Sequence, residues 1–141
     1  MKVELERLNN DYLFEVTNSN GHRVLLDNKS KTEGSVKGIS PMELLLMGVA
    51  GCSSIDIVAI LNKQKINPTS LKMEVEGLRH EGAVPALFYQ IEIAIYLEGD
   101  FSAEKAKRAA QLSFDKYCSV SKTLEPTAKI NHRIILNGEA I

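Results

Sequence analysis

The feature of this sequence that most constrains its fold is a long apolar segment that begins at Ser40. Ser40 is a favourable N-cap, Pro41 fits the first helical position, and Glu43 completes an S-x-x-E capping box. The pair Asn67 and Pro68 ends the segment, because the residue before a proline disfavours helix. The pattern therefore predicts one helix of about 25 residues, nearly 40 Å long at ~1.5 Å per residue.

The surroundings of this helix can also be inferred from its composition. Residues 44–52 are apolar on all sides, which is typical of a helix that is buried all round. Gly48 and Gly51 each cost about 1 kcal/mol of helix propensity relative to alanine, so we expect another backbone to approach there. That backbone belongs either to the same chain or to a second subunit. Because a chain of 141 residues offers few others to cover such a helix, we expect an intimate homodimer.

Alternation of polar and apolar residues predicts strands on both sides of the helix. The predicted strands cover residues 3–8, 12–16, 23–26, 71–79, 88–98 and 129–136. Ser102 is expected to cap a second helix that runs from Ala103 to about Tyr117 and ends at Cys118. Residues 29–39 lose periodicity and are expected to form a mobile surface loop, and residues 119–126 a loop or short turn.

The predicted order of elements is β-β-β-α-β-β-α-β, in a single domain over residues 1–141. Strands separated by two long helices favour an α+β fold over a doubly wound parallel sheet. The expected architecture has an N-terminal β-meander, a long buried central helix, a β-hairpin, a second helix and a final strand. The sequence contains no glycine-rich phosphate-binding motif, which disfavours a nucleotide-binding fold.

Charge and hydropathy narrow the range of partners. Seventeen Lys and Arg against eighteen Asp and Glu give a net charge of −1, so no overall field attracts nucleic acid or anionic lipid. The first eight residues lack the continuous apolar core of a signal peptide. No apolar run approaches the ~20 residues that span a bilayer. We therefore expect a cytoplasmic protein with no nucleic-acid partner and no membrane partner.

The two cysteines are the candidate chemical groups. The three histidines are scattered, so no metal site is expected, and no nucleophilic-serine motif occurs. Ser53 and Ser54 are expected to bond back to the preceding helical turn. Cys52 and Cys118 are far apart in the sequence, and a cytosolic protein keeps its thiols reduced, so free thiols are expected. From composition alone, a cysteine in an apolar helix is more often an inert packing residue than a reactive one.

Two motifs carry a resemblance to a known family. The sequence S-P-M-E-L-L-L-M-G-V-A-G-C-S-S-I-D spans residues 40–56, and Y-C-S-V-S-K-T-L spans residues 117–124. Both are similar to motifs of the OsmC/Ohr family, the osmotically inducible and organic hydroperoxide resistance proteins, and resemble an OsmC-like branch most. The resemblance covers essentially the whole chain in element order. It implies an α+β homodimer whose two long helices are wrapped by sheets from both subunits, with cysteine sites at the subunit interface.

The resemblance also implies a chemical cycle. Cys52 would be the peroxidatic thiol, whose thiolate attacks the O–O bond of an organic hydroperoxide and becomes a sulfenic acid. Cys118 would be the resolving thiol that condenses with it to a disulfide. An external dithiol reductant would then reduce that disulfide, with no bound cofactor. The implied role is defence against oxidative or osmotic stress.

Activation of Cys52 is the point at which this sequence departs from the family pattern. In the family's hydroperoxide reductases an Arg and a Glu flank the thiolate, and the Glu directly follows the helix-starting proline, where this chain has Met42. Glu43 lies nine residues before Cys52 and, at ~100° per residue, on the opposite helix face. It is expected to close the capping box, or it could serve the partner subunit's site. Arg23 is the nearest candidate for the arginine. Its rivals are Arg7, Arg79 and Arg133.

Asp56 lies one helical turn beyond Cys52 and is the only charged residue near it on that face. A carboxylate there would raise the pKa of the thiol unless a cation intervenes. Asp56 could instead bond at the helix surface or at a dimer contact. Two functions stay open: a thiol-dependent peroxidase, and an OsmC-like dimer without peroxidase activity that binds a small apolar or thiol-reactive ligand at the subunit interface. Met42 favours the second.

Overall fold

The structure is a computed structural model that describes residues 1–28 and 34–141. The chain forms two compact units, Met1–Leu45 and Leu46–Ile141. Residues 29–33 of the predicted surface loop lie outside the described residues, and that part of the loop prediction stays untested. The assignment of the whole chain to a single domain also stays a prediction.

The first unit contains a three-stranded antiparallel meander, as the alternation predicts. Its strands are β1 (Val3–Arg7), β2 (Phe14–Asn18) and β3 (Arg23–Leu26), in the spatial order β1-β2-β3. The Asn18 side chain accepts hydrogen bonds from two backbone N–H groups of the β2–β3 turn, and Gly21 supplies the positive φ of 83° that this tight turn requires. The sheet leaves apolar side chains of β1 in solvent, including Val3 at 66% and Leu5 at 58% exposure.

Helix α1 (Pro41–Lys63) begins where the capping signals place it. The Ser40 N–H donates to Glu43 Oε2 at 2.7 Å, and the Glu43 N–H donates to Ser40 Oγ at 3.2 Å, so the predicted capping box is confirmed. The helix ends before the predicted stop at Pro68, because Lys65 adopts a left-handed backbone with φ of 61°.

Helix α1 presents two opposite apolar stripes, each with a spacing of four residues. One stripe is completely buried and consists of Val49, Ser53, Ile57 and Leu61. The other lies about 200° round the helix and is exposed; it consists of Met47, Gly51, Ile55 and Ala59. The expectation of a helix buried on every side is therefore wrong for one chain. One stripe of α1 stays exposed because a single sheet can cover only one face of a helix.

Helix α1 also bears on the membrane expectation. It is long and apolar enough, by length and composition alone, to cross a bilayer, which corrects the expectation that no segment of the sequence could do so. This is weak evidence for a membrane span, because core helices of soluble proteins meet the same criterion. Asp56 lies inside the helix, and a carboxylate at the centre of a bilayer costs about 3 kcal/mol on insertion scales.

The second unit contains a four-stranded mixed sheet in the order β4-β5-β6-β7. Strands β4 (Ser70–Arg79) and β5 (Phe88–Glu98) form the predicted antiparallel hairpin, and β6 (Lys129–Leu136) and β7 (Glu139–Ala140) follow. One face of β5 contributes four buried side chains to the core of this unit. Its residues are Ile91, Ile93, Ile95 and Leu97, each at most 2% exposed. Strand β6 lies parallel to β5, a pairing that the sequence analysis does not predict.

Three helical segments lie between β5 and β6, where the sequence predicts one helix followed by a loop or short turn. Helix α2 (Ala103–Leu112) is followed by a π-helical turn (Ser113–Tyr117) and helix α3 (Ser119–Leu124), where a loop or short turn was expected. The π-helical turn continues the helical run with a wider turn, in which the Cys118 N–H donates to the Ser113 carbonyl at 2.8 Å, five residues back. The run ends at Cys118, as predicted. Ser102 occupies the N-cap of α2, but its side chain makes no capping hydrogen bond.

Candidate functional site

The fold brings the two cysteines together. The sulfur atoms of Cys52 and Cys118 and one carboxylate oxygen of Asp56 all lie within 4.8 Å of one another. Both cysteines are free thiols. We call these three residues the cysteine cluster. Since the pair is distant in sequence, tertiary packing alone produces this proximity.

Two members of the cysteine cluster come from one flank of helix α1. Cys52 and Asp56 are one turn apart, so their side chains leave the helix on the same side. Both are half-buried and lie between the buried and the exposed stripe. Neighbouring Ser53 is completely buried, and its hydroxyl donates to the Val49 carbonyl at 2.7 Å, as expected. The Ser54 hydroxyl instead lies 4.0 Å from the Met73 sulfur.

Cys118 lies between the π-helical turn and α3 and is fully buried. Its backbone is held on both sides: its N–H is bonded to the Ser113 carbonyl, and its own carbonyl accepts from the Lys122 N–H at 3.1 Å and the Ser121 hydroxyl at 2.9 Å. The extended backbone of Cys118, with φ of −68° and ψ of 94°, separates the two helical segments. The π-helical turn therefore determines where this thiol is placed.

The environments of the two thiols differ. Burial raises the pKa of the Cys118 thiol; hydrogen bonding to Ser121 opposes this shift, and the neighbouring Cys52 adds to it. Cys118 is also the less accessible residue of the pair. Cys52 is half-buried and is the more exposed residue of the pair. Because the two thiols differ in exposure, they can take different parts in a reaction.

Asp56 is the charged member of the cysteine cluster. Its carboxylate accepts a hydrogen bond from the Ser113 hydroxyl at 3.3 Å. Ser113 is fully buried, so this contact fixes the carboxylate beside the two sulfurs within a single chain. The sequence analysis places Ser113 inside a regular helix and assigns it no role. Periodicity carries no signal for this contact, because Ser113 and Asp56 belong to elements that meet only after folding.

Three of the four candidate arginines bond to groups outside the cysteine cluster. Arg23 forms an ion pair with Glu15 at 3.3 Å within the first sheet. The guanidinium of Arg7 donates to two backbone carbonyls after β1, and Arg79 Nε donates to the Ala86 carbonyl at 2.7 Å. Arg133 lines a surface pocket on the sheet of the second unit. Among the described residues from Leu46 to Ile141, no arginine donates a hydrogen bond to the Cys52 sulfur.

Glu43 belongs to the capping box of α1, where both its backbone N–H and its carboxylate are engaged. This is the role that the spacing from Cys52 favours. Activation of the Cys52 thiolate by Arg23 or Glu43 stays a prediction.

Comparison with known proteins agrees with the architecture of both units. A family model described as "OsmC-like protein" matches residues 32–133. Protein YhfA of Escherichia coli K12 is 37% identical over 115 residues, which cover 81% of this chain and 82% of YhfA.

Solved structures of OsmC-like and organic hydroperoxide resistance proteins have the same fold as this chain. An OsmC-like protein from Mycoplasma pneumoniae superposes with a TM-score of 0.80 at 22% identity, over 96% of this chain and 95% of that one. The organic hydroperoxide resistance protein OhrB of Bacillus subtilis superposes with a TM-score of 0.65 at 15% identity, over 95% and 98% of the two chains. These two likenesses show the fold alone. The α+β fold is thus confirmed, and the chain is a member of the OsmC-like protein family.

Proposed function

We propose that this protein is a thiol-dependent peroxidase that reduces organic hydroperoxides, with Cys52 as the attacking thiol and Cys118 as the resolving thiol. The observation that carries the proposal is the approach of two free sulfurs to within 4.8 Å from distant elements of one chain. A disulfide needs the two sulfurs about 2.05 Å apart, so closure requires a movement of less than about 3 Å.

The difference in burial supports the proposed roles of the two cysteines. Peroxide must reach the attacking sulfur, and Cys52 is half-buried on a flank of α1, whereas Cys118 is fully buried. The resolving sulfur needs to reach only its partner. Cys52 also borders the exposed apolar stripe of α1, with Met47 at 51% and Ile55 at 72% exposure. In the proposed homodimer this stripe is covered, so the thiol lies at the border of an apolar interface, and such apolar surroundings favour an organic hydroperoxide over hydrogen peroxide.

The proposed cycle has three steps: oxidation of Cys52, formation of the disulfide, and its reduction. The Cys52 thiolate attacks one peroxide oxygen, the O–O bond breaks, and the alkoxide leaves with one proton as the alcohol, so that Cys52 becomes a sulfenic acid. The Cys118 sulfur then displaces the sulfenic hydroxyl, which leaves as water with the Cys118 proton. Two electrons and two protons from an external dithiol reduce the disulfide. A homodimer, in which the exposed stripe of α1 is covered, is part of this proposal.

The test is addition of one equivalent of cumene hydroperoxide to fully reduced protein, with free thiols counted and the intact mass measured over time. We expect both thiols to disappear together, with a mass loss of two hydrogen atoms per chain. Thiols that survive excess peroxide for minutes would contradict the proposal.

Two variants separate the roles of the cysteines. Cys52→Ser should leave the Cys118 thiol intact under the same treatment. Cys118→Ser should stop at the sulfenic acid, which gains one oxygen atom and is trapped by dimedone, or proceed to sulfinic acid with more peroxide. The opposite pattern, with trapping at Cys118, would reverse the assignment.

A second function is favoured by one observation at the start of α1. The family resemblance places a thiolate-activating Glu after the helix-starting proline, and this chain has Met42 there. The alternative function is a non-peroxidase dimer that binds a small apolar or thiol-reactive ligand beside Cys52. Stable thiols in the peroxide experiment, combined with rapid alkylation of Cys52 by an apolar maleimide, would support this alternative.

A further inference from the structure

The donor atoms of the cysteine cluster have a use that does not depend on peroxide chemistry. Two sulfurs and one carboxylate oxygen converge within 4.8 Å, and such a set of soft and hard donors is typical of zinc sites. We infer that Cys52, Asp56 and Cys118 of the reduced protein bind one Zn²⁺ ion per chain.

The spacing of the three donors fits a tetrahedral ion. Zinc lies about 2.3 Å from thiolate sulfur and about 2.1 Å from carboxylate oxygen, so tetrahedral ligands are about 3.6–3.8 Å apart. The observed separations are at most 4.8 Å, so no pair needs to approach by more than about 1.2 Å. Rotation of the Cys52 and Asp56 side chains on one helix flank can provide such a shift. Three protein ligands leave a fourth position for water or a small ligand.

The donors are also held by neighbouring groups, as ligands in zinc sites are. The Ser113 hydroxyl donates to the Asp56 carboxylate at 3.3 Å and so orients the oxygen ligand. The backbone hydrogen bonds of Cys118 to Ser113 and Lys122 fix the buried sulfur. The half-buried side of the cluster, formed by Cys52 and Asp56, gives the ion a route from solvent.

Binding involves no electron transfer. The ion replaces the two thiol protons, which pass to solvent, and forms two metal–sulfur bonds and one metal–oxygen bond. Mg²⁺ and Ca²⁺ prefer oxygen ligands alone and are not expected to compete. No metal site is expected from the sequence, because the histidines are scattered and the two cysteines are too far apart in the sequence for a zinc knuckle. Neither argument accounts for cysteines that folding brings together.

The test is a Cd²⁺ titration of reduced protein under argon, after removal of the reductant. Thiolate-to-cadmium charge transfer gives an ultraviolet absorption band, and Zn²⁺ should remove this band by displacing the probe. We expect saturation at one Cd²⁺ per chain. Saturation at half an ion per chain, or no charge-transfer band, would overturn the inference.

Variants distinguish this site from binding elsewhere. Cys52→Ser and Cys118→Ser should each lose most of the band, and Ser113→Ala, which keeps all three ligands, should weaken Zn²⁺ binding about 10-fold or more. Asp115→Asn removes an exposed carboxylate from the adjacent π-helical turn and serves as the matched control, with unchanged affinity. An unchanged band in both cysteine variants, with native circular dichroism, would refute the assignment. No step of this test uses peroxide, so it can fail while the proposed peroxidase activity holds, and the reverse.

Discussion

Replacement of Ile55 by glutamate tests the role of the exposed stripe of α1. Ile55 is 72% exposed in one chain, and full burial of an isoleucine side chain contributes about 1.5–3 kcal/mol. In the proposed homodimer, covering its exposed part contributes about 1–2 kcal/mol per subunit, or about 2–4 kcal/mol per symmetric dimer. Since 1.4 kcal/mol is a tenfold change, Ile55→Glu should weaken dimerisation at least about 30-fold to 700-fold. Desolvation of the new carboxylate adds to this loss.

The measurement is sedimentation equilibrium of wild type and Ile55→Glu over a wide range of protein concentrations. The variant should fold normally, because exposed substitutions usually change unfolding free energy by less than about 0.5 kcal/mol. Val84→Glu is the matched control, since Val84 is 95% exposed but lies between β4 and β5. The reasoning is refuted if wild type is monomeric at all concentrations, or if Ile55→Glu dimerises with the wild-type constant.

Three further predictions concern stability, each measured by urea unfolding. Gly77→Ala should destabilise by about 1–3 kcal/mol, because its added Cβ would overlap the ring of buried Phe88; an unchanged midpoint would contradict this packing. Ser40→Ala should cost about 1 kcal/mol through loss of the capping box, and Ser40→Asp should restore most of it. Partial desolvation where the His132 ring stacks on Phe114 lowers the pKa of His132 in the folded state, and nearby Asp115 opposes this shift. Because His132 is an exposed residue, its contribution to stability should be small. That contribution should be fully present above the ordinary pKa of 6.5 and decline as the pH falls towards the folded pKa. His132→Gln should flatten that decline, and an equal slope in wild type and variant would exclude this residue as its source.

The success of the sequence analysis depended on how local each signal is. The capping box at Ser40 and the alternation of residues 88–98 involve neighbours within a few positions, and the structure confirms both. The helical run from Ala103 ends at Cys118 as predicted, but its last turn, Ser113–Tyr117, is π-helical, and the additional residue in that turn leaves no trace in the periodicity.

For the candidate site, too, local motifs were informative and long-range contacts were not predicted. Sequence motifs indicated Cys52 and Cys118, but only through resemblance to a family, since composition alone favoured inert packing. The contact of Ser113 with Asp56, and the distance between the sulfurs, could not be read from any pattern. These contacts join elements that are more than fifty residues apart, and no local preference encodes such a separation.

By itself, the sequence determined an α+β chain with a long apolar helix that begins at Ser40 and carries a cysteine, because caps, periodicity and turn residues act over a few positions. Only the tertiary structure decided which face of that helix is buried, that β6 runs parallel to β5, and that Cys118 reaches Cys52. The physical reason is that packing is a property of surfaces brought together by folding, and a helix that is apolar all round does not specify which of its faces meets the sheet.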